Sequence, residues 1–148
     1  VNSIERTFTT TRASTINFKF RLDSLGTDDA CFFYVTDQYS NYRLAMTPAR
    51  EGFYDSARRP MVFWQGPSGS TSSASVGTAV LSTSVWYQGT VFQSGANAVF
   101  RMTNLTTNAV VDTIMGPWQP IDAAKLRFVT DAVSSTTTSA CTFADISI

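Results

Sequence analysis

Histidine is absent from all 148 residues, which removes imidazole as base, proton shuttle or metal ligand. Glutamate is nearly absent too: only Glu5 and Glu51 occur. Charge as a whole is scarce, at 15% against about 25% in an average soluble domain. Eleven Lys+Arg face eleven Asp+Glu for a formal net charge of +0. A protein built to hold a nucleic-acid backbone usually shows a basic excess, so no nucleic-acid partner is expected. No stretch approaches the ~18 apolar residues of a membrane-crossing helix, and no membrane partner is expected either. Two cysteines, Cys31 and Cys141, permit one disulfide and no thiolate metal cluster. A bridge and two buried thiols are both open.

Hydroxyls replace the missing charge. There are 17 Ser and 21 Thr, and the basic residues are nine Arg with only Lys19 and Lys125 as lysines. Thr favours strands and Ser tolerates turns. Hydrophobic residues at 43% and aromatics at 13% suffice for one core without a metal, and 148 residues is one domain's length. Composition does not shift along the chain, and we read residues 1–148 as a single domain. Its hydroxyl-rich surface and its start at Val1 rather than Met fit a mature, secreted (extracellular) product or a piece of a larger secreted protein.

Hydrophobic alternation carries the fold. Ile16, Phe18, Phe20 and Leu22 fall on one face, with Asn17, Lys19 and Arg21 on the other. That is the period-two pattern of an antiparallel strand with one wet face. Cys31 to Thr36, Tyr42 to Met46, Met61 to Gln65, Val76 to Leu81, Val85 to Phe92, Ala98 to Thr103, Val110 to Ile114, Leu126 to Thr130 and Cys141 to Ile148 read as further strands. Gly66 to Ser75 is rich in Gly and Ser and reads as the most mobile loop. Gly116-Pro117-Trp118-Gln119-Pro120 does not read as regular sheet, and Ile121 to Lys125 suits a single helical turn. Ten to twelve short strands without a fixed repeat predict an all-β, antiparallel two-sheet β-sandwich.

The order of segments adds a resemblance. Ser84-Val85-Trp86-Tyr87-Gln88-Gly89-Thr90-Val91, a Gly-Ala-Asn turn, then Val99 to Asn104 resemble the central meander of concanavalin/laminin-G-like jelly rolls. The ending Cys141-Thr142-Phe143-Ala144-Asp145-Ile146-Ser147-Ile148 is similar to their last strand, and Phe18 to Arg21 with Phe33 to Asp37 suits their early strands. Ala144 departs from the pattern, standing where an acidic residue usually precedes the second acid. The resemblance implies a jelly-roll carbohydrate-binding module of a secreted polysaccharide-degrading enzyme. A polysaccharide and an attached catalytic domain would then be its partners. It also implies one structural Ca²⁺ tying the first strand to the last, with Glu5 and Asp145 as the matching acidic ligands and backbone carbonyls completing six to eight oxygens.

The residues themselves point the same way. Sugar rings present apolar C–H faces that stack on aromatic side chains, while a few polar groups fix orientation. Trp64 stands at the mouth of the Gly/Ser loop and Trp118 between two prolines; Tyr39, Tyr42, Phe53 and Tyr54 lie in or beside loops. Arg43, Arg50, Arg58 and Arg59 crowd the same third of the chain. A guanidinium forks onto a carboxylate or sulfate but also binds neutral hydroxyls. The expected sugar-binding set is Trp64, Trp118, Arg58, Arg59, Arg43 and Tyr54, whereas Trp86 is read as structural. Asp23, Asp28 and Asp29 share one loop, but loop aspartates commonly form turns, and no catalytic residue is assigned. Non-catalytic polysaccharide binding leads. A structural or adhesive sandwich and an enzyme with an atypical site are the alternatives.

Overall fold

A strand whose alternate side chains are all large and apolar must cover that face with a second layer. The structure is a computed structural model describing residues 2–8, 15–24, 31–37, 42–47, 59–65, 72–117, 124–130 and 140–148, with side chains for 15–24, 59–62, 75–116 and 141–148. Its strands are β1 (Asn2–Phe8), β2 (Ile16–Ser24), β3 (Cys31–Asp37), β4 (Tyr42–Thr47), β5 (Met61–Gln65), β6 (Ser72–Val76), β7 (Trp86–Ser94), β8 (Asn97–Asn104), β9 (Val110–Pro117), β10 (Ala124–Thr130) and β11 (Ala140–Ser147). They form a six-stranded sheet in the order β1-β10-β3-β4-β5-β6 and a five-stranded sheet in the order β11-β2-β7-β8-β9. Every ladder is antiparallel. The protein is an all-β, two-sheet antiparallel sandwich of the jelly-roll kind.

The core forms from the alternation described above. Ile16, Phe18, Phe20 and Leu22 of β2 are 5% exposed or less, and they pack with Val62, Leu81, Tyr87, Val91, Ala98, Phe100, Met102 and Ile114. Each fully buried large side chain contributes about 1.5–3 kcal/mol. Phe18 stacks on Phe100 at 6.2 Å between ring centres and tilts against Phe20 and Phe143. Its ring lies directly over Gly89 of β7, where a Cβ would come within 2.6 Å of Cζ. Glycine here is a matter of space: it lets an aromatic ring from β2 cross its neighbour strand without lifting off the sheet.

Three segments differ from the sequence reading. The strand expected at Val76 to Leu81 ends at Val76, and residues 72–76, expected within or beside a mobile loop, are β6 paired with β5. The backbone amides beyond Val76 have other acceptors. Gly77 N–H donates to Pro60 O (2.7 Å), and those of Thr78 and Ala79 donate to Oδ2 of the buried Asp112 (2.7 and 2.9 Å). A Cβ on Gly77 would collide with that carboxylate. Asp112 belongs to β9 on the other sheet, so one carboxylate anchors the connection that crosses between layers. Gly116 and Pro117 are regular strand after all, opposite Ala98 and Asn97. β9 is an edge strand, where proline's missing N–H removes no ladder bond. Lys125 stands in β10 opposite Thr36 and Thr7 rather than in a helical turn; residues 121–123 lie outside the described residues.

Cys141 is disulfide-bonded, and no cysteine is free among the described residues. The chain's other cysteine is Cys31, which opens β3. The two strands belong to opposite sheets. The bond therefore staples the layers together. In the chain-entropy picture, closing so long a loop stabilises by about 4 kcal/mol.

Two outcomes are expected. Asp112→Ala leaves three part-buried amides, those of Thr78, Ala79 and Thr113, without this acceptor and lowers the unfolding free energy by about 1–3 kcal/mol in urea titrations, whereas Asp112→Asn, which keeps an acceptor oxygen, loses less. Thiol titration of the unfolded, unreduced protein finds no reactive cysteine, and reduction lowers stability by about 4 kcal/mol; two titratable thiols per chain would contradict the staple.

Candidate functional site

The same alternation that buries Phe18 and Phe20 sends Asn17, Lys19 and Arg21 to the outer face of the five-stranded sheet. Register then decides what they meet. Arg21 stands opposite Trp86 on one side and Thr142 on the other; Lys19 stands between Gln88 and Ala144. Two cross-strand rows, Thr142–Arg21–Trp86 and Ala144–Lys19–Gln88, thus lie side by side over β11, β2 and β7. Gln88 is tied down, its Nε2 donating to the carbonyls of Phe18 (3.0 Å) and Gly89 (3.1 Å).

The first row is a polar clasp. The Arg21 guanidinium lies 5.1 Å from the Trp86 ring centre, a cation–π distance. Its Nε donates to Asp23 Oδ1 at 2.5 Å, and Thr142 Oγ1 donates to Asp23 Oδ2 at 2.6 Å. The Thr142 hydrogen bond, opposed by desolvation and then reinforced by the hydrogen bond and charge of Arg21, holds the Asp23 carboxyl below its ordinary value.

The second row owes its shape to a β-bulge. Cys141 and Phe143 pack against the core, and the next inward residue is Ile146 rather than 145. The register correspondingly jumps from Ala144↔Lys19 to Ser147↔Asn17. Ala144 and Asp145 are both left outside, and Asp145 takes φ +50°, a left-handed conformation that Asp tolerates better than most residues. Its Oδ2 meets Lys19 Nζ at 2.5 Å. The β8–β9 turn closes the far wall. Leu105 N–H donates to Trp86 O (3.0 Å), and Asn104 Oδ1 accepts from the amides of Thr106 (2.9 Å) and Thr107 (3.3 Å). Between these walls is an open cleft of about 440 Å³ lined by Lys19, Trp86, Leu105, Thr106, Ala144 and Asp145.

One aromatic, two apolar walls, a hydroxyl and an ion pair suit binding of a ligand with both an apolar face and polar edges. Among the described residues the cleft lining holds a single carboxylate, Asp145, and cleavage of a glycosidic bond ordinarily needs two.

Of the residues expected from sequence, Asp145 lines the cleft. The first and last strands do not pair with each other: β1 pairs with β10 and β11 with β2, in different sheets. The Asp145 carboxylate already faces an ammonium group, so as it stands it does not fit a calcium ligand. No group of three or more acidic, Cys or His side chains able to hold a metal occurs among the described residues. Glu5 stands in β1, Arg43 in β4 and Trp64 in β5, all in the six-stranded sheet; their side chains are outside the described set. Register sets Met46 opposite Val62 and Ala45 opposite Phe63, so Arg43 and Trp64 occupy positions of opposite phase on adjacent strands. Arg59 is half-buried just before β5. Arg58, Tyr54 and Trp118 lie outside the described residues. Trp86, read from sequence as structural, is the aromatic of the cleft. The signal was present in its own strand: if Tyr87, Gly89 and Val91 point inward, Trp86 points out.

No protein-family model and no curated protein matches the chain. In shape it is similar to a tetrameric galectin from the ball sponge Cinachyrella sp., with TM-score 0.67 at 9% identity over 99% of this chain and 98% of the galectin. A toad ovary galectin in complex with thio-digalactose gives TM-score 0.56 at 8% identity, over 96% of this chain and 98% of the other. The exoplasmic/lumenal domain of VIP36, in a Ca²⁺/Man3GlcNAc-bound form, gives 0.59 at 12% identity, over 85% and 66%. At these identities the likeness establishes the fold. The chain has the jelly-roll sandwich of galectins and VIP36. The likeness does not single out modules borne by polysaccharide-degrading enzymes.

Carboxyl titration by NMR is expected to place the Asp23 midpoint below the ordinary 3.8, and Thr142→Val to move it upward. Because the folded value is depressed, the clasp's contribution to stability is present above the unfolded value and is lost as pH falls through the folded one. A midpoint at or above the ordinary value would contradict the clasp.

Proposed function

We propose that this protein binds a carbohydrate without transforming it, with a sugar ring seated on Trp86. The observation that carries the reading is the cleft itself, in which an indole stands beside an ion pair and a threonine hydroxyl on the outer face of a rigid sheet. Indole offers a flat apolar surface to the C–H face of a pyranose, and the polar rim orients its hydroxyls. The fold adds support, since the toad galectin of the same architecture is complexed with thio-digalactose and VIP36 with Man3GlcNAc. Export of the chain is part of the proposal, supported by the disulfide, which persists in oxidising compartments. So is tethering of a polysaccharide-degrading partner, for which the support is the sequence resemblance. Trp64 and Arg43, on adjacent strands of the opposite sheet, and Trp118, Arg58, Arg59 and Tyr54 form the alternative binding set.

A glycan array followed by calorimetry tests this. Trp86→Ala is expected to lose ~1.5–3 kcal/mol of binding, one to two decades of affinity, with the melting temperature nearly unchanged. If Trp64→Ala or Trp118→Ala abolishes binding while Trp86→Ala binds like the parent, the sugar sits on the other set.

A further inference from the structure

We propose that the Trp86 cleft selects an uncharged saccharide and reads two neighbouring hydroxyls of it with the Lys19–Asp145 pair. This rests on the carbohydrate reading of the cleft and narrows it. Both cations of the two rows are matched internally: Lys19 by Asp145 at 2.5 Å, and Arg21 by Asp23 at 2.5 Å. The other cation described on this face, Arg101, lies 5.3 Å from the Phe92 ring centre and does not line the cleft. The charges lining the cleft thus sum to zero. A uronate or sulfate entering the cleft would have to take Lys19 from Asp145 and then lie against the displaced carboxylate.

A hydroxyl has no such difficulty, since it donates to a carboxylate and accepts from an ammonium at once. Adjacent ring hydroxyls can therefore bridge the existing pair without breaking it. Exposure is suitable: the Lys19 side chain is 39% exposed and that of Asp145 66%, so both heads reach the ligand while remaining in contact. Arg21, being held over the indole and bonded to Asp23, serves to fix the Trp86 ring. The bulge makes the device. Without the extra residue, Asp145 would take the inward position and Lys19 would face the cleft alone, as a site for anions. Bulges commonly serve to re-aim a side chain in this way.

The test uses the full chain, neutral oligosaccharides of galactose, mannose or glucose, and matched oligomers bearing uronate carboxylates. The parent is expected to bind a neutral oligomer with an affinity insensitive to salt and to leave the uronates unbound. Asp145→Asn is the informative variant. Asn accepts the left-handed conformation as readily as Asp, so the bulge survives while Lys19 loses its counter-charge. Neutral affinity is expected to fall about tenfold, as when a charge-assisted hydrogen bond is lost. Uronate affinity is expected to appear, and high salt to erase it. Lys19→Gln is expected to weaken neutral binding without admitting uronates, which separates charge from shape. Preference of the parent for uronates, or an Asp145→Asn protein unchanged toward both ligands, would overturn the inference. In either case, loss of binding in Trp86→Ala would leave the carbohydrate reading standing. Binding unaffected by Trp86→Ala, or no glycan bound at all, would remove the reading and the inference together.

Discussion

The ring of Phe18 lying across Gly89 is the contact on which the rest of the molecule depends. It holds β2 and β7 at sheet spacing with their inner faces in register, and the phase of the outer face follows at once. Since side chains alternate with period two, burying Phe18 and Phe20 obliges Lys19 and Arg21 to face outward opposite Gln88 and Trp86. The cleft is the reverse side of the core. A slip of one residue would bury the cations and expose the phenylalanines, a change no low-charge surface could offset.

Charged groups in this protein are few. The buried Asp112 carboxylate collects amides from the crossing between the sheets. The Tyr87 hydroxyl accepts from Ser82 N–H at 2.9 Å on the same connection, and Ser84 N–H donates to Leu22 O at 2.7 Å. On the outer face, each cation of the two rows meets a carboxylate. Charges paired in this way add little to stability when they are exposed, so their value lies in orientation. They set the indole and the Asp145 carboxylate in place before a ligand arrives, and preorganised groups cost less to bind with.

Much of the fold was legible in the chain. The alternation of residues 16–22 identified the core face of β2, whose Ile16, Phe18, Phe20 and Leu22 are all buried. Met61 to Gln65 was bounded correctly because Pro60 and Gly66 punctuate it. The segment after Val76 misled because its apolar residues suit a strand, whereas its amides are claimed by a carboxylate 33 and 34 residues away. Pro117 misled in the opposite sense, since a proline is tolerated at an edge and nothing local marks which strand is the edge.

The sequence by itself determined the phase of unbulged strands such as β2 and β7, because it follows from the order of apolar and polar residues along one strand. That order also set Trp86 outward, though its meaning depended on what lay beside it. Which residues became neighbours was decided only by the tertiary structure. Lys19 and Asp145 are far apart in the chain and meet because β11 joins the edge of β2, and because a bulge re-phases the strand after Phe143. Pairing partners and bulges arise from long-range packing of whole sheets, which no local pattern encodes. The same packing sent β1 and β11 to different sheets, separating Glu5 from the ladder that carries Asp145, and joined the layers through a disulfide rather than through a pair of neighbouring strands.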